Sequence, residues 1–151
     1  MAALNDRFTS CVIDANVAIK LVIAQPDSDV AQSLFDRLAD DPSARFHVPD
    51  FFFAECASTL VNYVRLSRYP IAIAQQGVRR LIALRVRATP ALMLAASALD
   101  IATECRITGY DACYVALSHQ IDAPLITADE KLVTALVGQP YQVLSLAALR
   151  A

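Results

Sequence analysis

Glycine is scarce and tryptophan is absent. Three glycines scattered through 151 residues exclude a glycine-rich phosphate loop, which needs several close together. The two histidines, His47 and His119, do not read as catalytic bases, and no serine or cysteine is visibly paired with a base. Four cysteines (Cys11, Cys56, Cys105, Cys113) form no Cys-x-x-Cys pair and no zinc spacing. They lie in apolar runs and read as buried free thiols, which fits a reducing cytosol. No apolar run approaches the ~20 residues needed to span a bilayer, and Met-Ala-Ala-Leu-Asn-Asp-Arg-Phe at the start has no apolar leader core. A net charge of −2 argues against a strongly basic nucleic-acid surface, but not against nucleic acid as a transient substrate. Internal repeats, low-complexity segments and linkers are also missing, so residues 1–151 read as one domain.

What is present in excess is apolar side chain. The hydrophobic share is 56% and mean hydropathy is +0.43, both high for a domain of this size. One reading is a well-filled α/β core. The other, favoured because a small domain has much surface to cover, is an apolar surface shared with a partner or a second copy.

Periodicity and breakers give the order of elements. Cys11-Val-Ile is a short buried strand. Val17, Ala18, Leu21 and Val22 suggest a helical turn or two, and Val30, Ala31, Leu34, Phe35 and Leu38 an amphipathic helix. Arg45-Phe-His-Val is a second strand. Asp50 is placed to cap the next helix, with Phe53, Cys56, Ala57, Leu60 and Val64 as its core face. Tyr69-Pro70 breaks that helix, and another spans about 71–84, with Gly77 a weak point inside it. Strand three is Val86 to Thr89. Pro90 suits the first turn of a helix reaching about Cys105. A helix from near Asp111, a strand at Leu125-Ile-Thr, a helix at about 130–137 and a strand at Gln142-Val-Leu-Ser complete the chain. The order β-α-α-β-α-α-β-α-α-β-α-β predicts a three-layer α/β/α domain with a mainly parallel sheet of about five strands.

Ligands of such sheets bind beyond the carboxyl ends of the strands. Asp14 directly follows strand one. Glu55 lies early in the helix after strand two. Asp111 opens the helix before strand four, and Asp129 follows that strand. All four acids are therefore expected on one rim, with Asn16 and Thr127 adding neutral oxygens. Glu55, one of three glutamates, is set in Phe-Phe-Phe-Ala-Glu-Cys-Ala, where a carboxylate is costly unless paired or metal-bound. Taken alone, Asp14 or Glu55 also fits a helix cap or a buried salt bridge. Converging carboxylates repel unless a proton or cation lies between them, and hard oxygen donors suit Mg²⁺ or Mn²⁺ rather than zinc. Asp27, Asp29, Asp36, Asp40 and Asp41 read as a solvated helix face and its loops, and Asp100 and Glu104 as exposed on a separate helix. Lys20, Arg65, Arg68 and Lys131 read either as phosphate contacts near the rim or as ordinary surface charge.

Four segments resemble the PIN-domain ribonucleases, in particular the VapC-type toxins of toxin–antitoxin pairs. They are Val-Ile-Asp-Ala-Asn-Val-Ala-Ile-Lys at 12–20, Val-Pro-Asp-Phe-Phe-Phe-Ala-Glu-Cys-Ala-Ser-Thr-Leu at 48–60, Tyr-Asp-Ala-Cys-Tyr-Val-Ala-Leu-Ser at 110–118 and Pro-Leu-Ile-Thr-Ala-Asp-Glu-Lys-Leu at 124–132. They keep the family's order and spacing over nearly the whole chain, with Asn16 where many relatives have serine. The resemblance implies a PIN fold and a Mg²⁺- or Mn²⁺-dependent endoribonuclease of the cytoplasm. Asp14, Glu55, Asp111 and Asp129 would be its catalytic and metal-binding acids, and Asn16 and Thr127 supporting polar groups. It also implies a homodimer and a small antitoxin that lays a helix in an apolar groove. A housekeeping RNA-processing nuclease and a non-catalytic PIN-like binding module are the competing readings. A phosphoacceptor receiver domain fits poorly, because Asp14-Ala-Asn lacks the paired acids it needs.

Overall fold

The computed structural model describes residues 8–150. Seven of the eight N-terminal positions read as lacking an apolar leader core fall outside them. β1 (Ser10–Ile13) leads into the short α1 (Ala15–Ile19) and then α2 (Ser28–Asp40). β2 (Arg45–Pro49) is followed by α3 (Phe52–Leu66) and α4 (Ile71–Ile82), and β3 (Val86–Thr89) by α5 (Ala95–Cys105) and α6 (Gly109–Ile121). β4 (Leu125–Thr127), α7 (Glu130–Ala135) and β5 (Val143–Ser145) complete the order. This is the succession that periodicity predicts.

The strands form one sheet in the order β3-β2-β1-β4-β5, and every neighbouring pair is parallel. Parallel neighbours need long crossovers, which the helices supply while covering the two faces. The central strands are apolar on both sides: Cys11, Val12, Ile13, Leu125 and Ile126 are all fully buried. From β1 the chain moves to β2 and β3 on one side, then crosses to β4 and β5 on the other. The reversal falls between β1 and β4, where Ile13 pairs with Ile126. A crevice opens at such a switch point, beyond the carboxyl ends of the two strands.

Three local expectations change. Asp50 does not cap α3, whose N-terminus carries no side-chain cap. Its carboxylate accepts instead from the Ala91 amide at 3.1 Å, tying the end of β2 to the segment after β3. The helix expected from Pro90 is divided: Ala91–Met93 is a 3₁₀ turn and α5 begins at Ala95, leaving Leu92 84% and Met93 60% exposed. The apolar stripe of α3 also divides. Phe52, Cys56 and Leu60 enter the core, while Ala57, Val61 and Val64 line an apolar groove of about 510 Å³ against Ile71, Ala74 and Val78 of α4. The four cysteines are free and buried. Among the described residues, no helix is long and apolar enough to cross a membrane.

Gly77 is a packing device. A Cβ there would stand 2.3 Å from Val22 Cγ1, so α4 lies directly on the chain leaving α1. Arg80 reinforces the contact, donating to the Leu21 carbonyl at 3.0 Å and to Gln32 Oε1 at 2.7 Å. Gly77→Ala is expected to destabilise the fold, because overpacking costs about 1–3 kcal/mol against a helix-propensity gain of about 1 kcal/mol. In a Val22→Ala background the same change should become stabilising. Chemical denaturation of the four proteins checks the reversal of sign, and a Gly77→Ala effect of equal sign in both backgrounds would refute the contact.

Candidate active site

At the crevice, Asp14 leaves β1 and Thr127 ends β4, side by side. The Asp14 amide donates to the Ile126 carbonyl at 3.0 Å, continuing the β1–β4 ladder by one bond. The Thr127 hydroxyl then becomes a junction. It donates to Asp14 Oδ2 at 2.9 Å and accepts from Asn16 Nδ2 at 3.2 Å and from the Asp129 amide at 3.1 Å. Asn16 Oδ1 accepts from the Ala128 amide at 3.0 Å. Threonine suits this position because one hydroxyl both donates and accepts.

Two helices bring further acids to the junction. Glu55 is in the first turn of α3, and Tyr114, wholly buried on α6, donates to its Oε1 at 2.9 Å. Asp111 is in the first turn of α6, where Thr108 caps the helix by accepting from its amide at 3.0 Å. Asp14, Glu55 and Asp111 line one cavity of about 300 Å³ together with Asn16, Gln25, Thr59 and Tyr63. Asp129 reaches the same rim, but its carboxylate caps α7, accepting from Lys131 at 2.9 Å and Leu132 at 3.4 Å.

The electrostatics are unfavourable by construction. Burial pushes the Asp14 carboxyl up to about 7; the Thr127 hydrogen bond opposes this, while Asp111 and Glu55 add to it. Glu55 is raised by burial and by Asp111, against the Tyr114 hydrogen bond. Asp111 is raised by burial and by Asp129. Among the described residues, no lysine or arginine lines the cavity, and no three His, Cys, Asp or Glu side chains are drawn into a ready-made metal cage. The donor set is nonetheless all oxygen and short of positive charge, and it fits a hard divalent cation on chemistry.

The sequence reading names neither Tyr114 nor the neutral wall of Gln25, Thr59 and Tyr63. A signal existed for part of it. Glu55, Thr59 and Tyr63 are spaced i, i+4, i+8, one polar face of α3, and Tyr114 is one helical turn beyond Asp111. Gln25, whose amide donates to the Tyr63 hydroxyl, lies in a connection and has no such pattern. Among the basic candidates, Lys20 is tied to the loop after α1, donating to the Pro26 carbonyl at 2.7 Å and to Gln25 at 3.3 Å. Arg65 lies on the apolar groove instead. Neither histidine lines the acidic cavity.

The family model of the PIN domain matches residues 11–135, a span that contains all four acids. The chain belongs to the PIN-domain family. No curated protein matches it significantly. Among solved structures, this PIN domain is similar to PAE2754 from Pyrobaculum aerophilum, with 20% identity, TM-score 0.69 and 93% of each chain covered. It is also similar to a toxin–antitoxin complex from Klebsiella pneumoniae, with 17% identity, TM-score 0.61 and coverage of 90% of this chain and 97% of that one. A third likeness is to VapC20 from Mycobacterium tuberculosis, a sarcin-ricin loop cleaving toxin, with 14% identity, TM-score 0.61 and coverage of 83% and 94%. At these identities the likeness is one of fold.

A carboxyl group whose folded value is raised opposes folding once pH exceeds its unfolded value, and the penalty is complete above the folded value. Asp14→Asn is therefore expected to raise the melting temperature in EDTA by several degrees at about pH 8, and by less at about pH 5, where folded Asp14 is already protonated. Thr127→Val should lower it, since the buried Asp14 carboxylate and two partly buried groups lose their partner, at about 1–3 kcal/mol at most for a buried group. Thermal melts check both directions, and an Asp14→Asn protein less stable than the parent at both pH values would refute the electrostatic account.

Proposed function

We propose that this PIN domain is a Mg²⁺- or Mn²⁺-dependent endoribonuclease, the toxin of a toxin–antitoxin pair acting in the cytoplasm. The supporting observation is the convergence of Asp14, Glu55 and Asp111 on one cavity, with no basic residue lining it among the described residues. A fold that buries like charges at a strand switch point sustains a standing cost, which a bound divalent cation would relieve. Asp14, Glu55 and Asp111 would hold the ion, and Asp129 would join from the adjacent rim. Thr127 and Asn16 fix Asp14 and the β4 end, and Tyr114 fixes Glu55. When bound, the cation would activate water, bridge the acidic pocket to an anionic phosphodiester and stabilise charge on the leaving oxygen. The two solved neighbours named as toxins or toxin complexes favour the toxin reading over a housekeeping nuclease.

The partner reading rests on the α3–α4 groove. Its floor is apolar, and Arg65 and Arg79 stand among its lining residues. That combination suits an amphipathic antitoxin helix carrying acidic side chains beside its apolar face. A homodimer would cover part of the remaining apolar surface, such as Leu92, Met93 and Leu99.

Incubation of the purified protein with total cellular RNA and Mn²⁺ or Mg²⁺ is expected to give discrete fragments. These should vanish with EDTA and with Asp111→Asn. Mapping the fragment ends names the target. Folded protein that neither cleaves RNA nor binds Mn²⁺ would refute the reading in favour of a non-catalytic module. Co-purification with the product of a short adjacent reading frame should suppress cleavage, and Val64→Asp in the groove should restore it. Undiminished suppression in that variant would place the antitoxin elsewhere.

A further inference from the structure

Four of the five tyrosines in the chain are buried or partly buried. The Tyr63 hydroxyl accepts from Gln25. Tyr69 donates to the Val22 carbonyl at 3.1 Å, and Tyr114 to Glu55 at 2.9 Å. Tyr141 meets His119 edge to face, with ring centroids 5.3 Å apart. Tyr110 differs from all of them. It is 65% exposed, although it immediately precedes Asp111 and stands in the first turn of α6.

The exposed ring is braced. Phe51 meets Tyr110 at 5.3 Å with an interplanar angle of 87°. With the residue 65% exposed, much of the side chain stays open to solvent beside this contact. Phe51 in turn stands perpendicular to Tyr114, at 5.7 Å and 83°, and Tyr114 holds Glu55. Tyr110, Phe51, Tyr114 and Glu55 thus form one connected ladder from the surface to the acidic cavity. The backbone just before the ring is also uncrowded. Gly109 precedes it, and a Cβ added there would meet nothing within 4 Å.

We propose that Tyr110 is a stacking platform for an unpaired RNA base, holding single-stranded substrate so that a neighbouring phosphodiester reaches the Asp14–Glu55–Asp111 cavity. This rests on the ribonuclease reading above. A braced and exposed aromatic gives stacking at little entropic cost, since its orientation is already fixed. Every base has a π-face, so the platform contributes affinity without dictating sequence. It also selects loops and single strands over duplex, because only unstacked bases can reach the ring. A protein partner would also value an exposed tyrosine, but the position next to a cavity-lining carboxylate favours the substrate.

The test is made on the full chain carrying Asp14→Asn, so that RNA is not cut, in Mn²⁺. The probe is an unstructured, mixed-sequence, fluorescein-labelled RNA of about 12 nucleotides, followed by anisotropy. Tyr110→Ala is expected to weaken binding by about 5- to 100-fold and Tyr110→Phe by less than about twofold, because the ring and not the hydroxyl does the stacking. Melting temperature and Mn²⁺ binding should match the Tyr110 parent in both variants, which separates the role from a structural one. Equal RNA affinity in Tyr110→Ala, from a parent that binds RNA, overturns the platform and leaves the ribonuclease reading standing. A change in oligomeric state with unchanged RNA affinity assigns Tyr110 to a second copy and also overturns it. If the parent does not bind this RNA, and the unsubstituted chain does not cleave total RNA, both readings fall together.

Discussion

The contact on which the rest depends is the 2.9 Å hydrogen bond from the Thr127 hydroxyl to Asp14. It joins the ends of the two strands between which the chain reverses direction across the sheet. Thr127 is fully buried and Asp14 is 5% exposed. A bare carboxylate in that position would be expelled or protonated. Because the same hydroxyl accepts from Asn16 and from the Asp129 amide, the geometry of α1, β4 and the start of α7 is set at one atom. Glu55 and Asp111 are then delivered by helices whose first turns end at this junction.

The apolar excess has two destinations, and they answer the two readings of composition. Much of it fills the core. α6 is buried continuously from Ala112 to Ser118, packed between the sheet and α5, which is why its pattern is apolar almost all round rather than a stripe. The remainder is exposed. Leu66, Ile71, Ile82, Leu92, Met93 and Leu99 are each more than half exposed, and they belong to the α3–α4 hairpin and to the segment around the 3₁₀ turn. A large apolar patch on a small domain is costly in isolation. The excess is therefore divided between a filled core and exposed side chains, and core filling alone does not account for it.

The element order was legible because the strands are short, the central ones are apolar, breakers such as Pro49, Pro90 and Pro124 mark several strand ends, and the crossovers are periodic helices. The rim position of the acids followed from the parallel topology alone, since every carboxyl end faces the same way. What was not legible depended on contacts between distant segments. Asp50 looks like an N-cap by its position before α3, but the Ala91 amide competes for it and wins. Pro90 looks like the first turn of a long helix, yet the turn after it is 3₁₀, is tied to Asp50 through the Ala91 amide, and α5 starts only at Ala95. Gly77 looks like a defect in α4 until Val22 is placed against it. Tyr114 sits inside an apolar run that reads as core. Its hydroxyl acquires meaning only when Glu55 arrives from a helix far away in the sequence.

The placement of positive charge bears most directly on what the cavity can do. A chain with a net charge of −2 has enough cationic side chains to neutralise three carboxylates if they were sent there. They are sent elsewhere. Arg150 binds Asp27 and Asp29 at 2.9 and 2.7 Å on the outer surface, Arg80 fastens α4 to the segment after α1, Arg85 donates to the Leu38 carbonyl at 3.0 Å, and Lys20 is drawn back into its own loop. An internal guanidinium in the cavity would have stabilised the fold through the same carboxylates that the proposed cation would use. Leaving them without one keeps the cavity's negative potential available to an ion from solution. The hydrogen bonds from Thr127 and Tyr114 offset part of the desolvation without adding charge. They hold Asp14 and Glu55 in place while leaving their charge uncompensated, a condition that suits the proposed divalent cation.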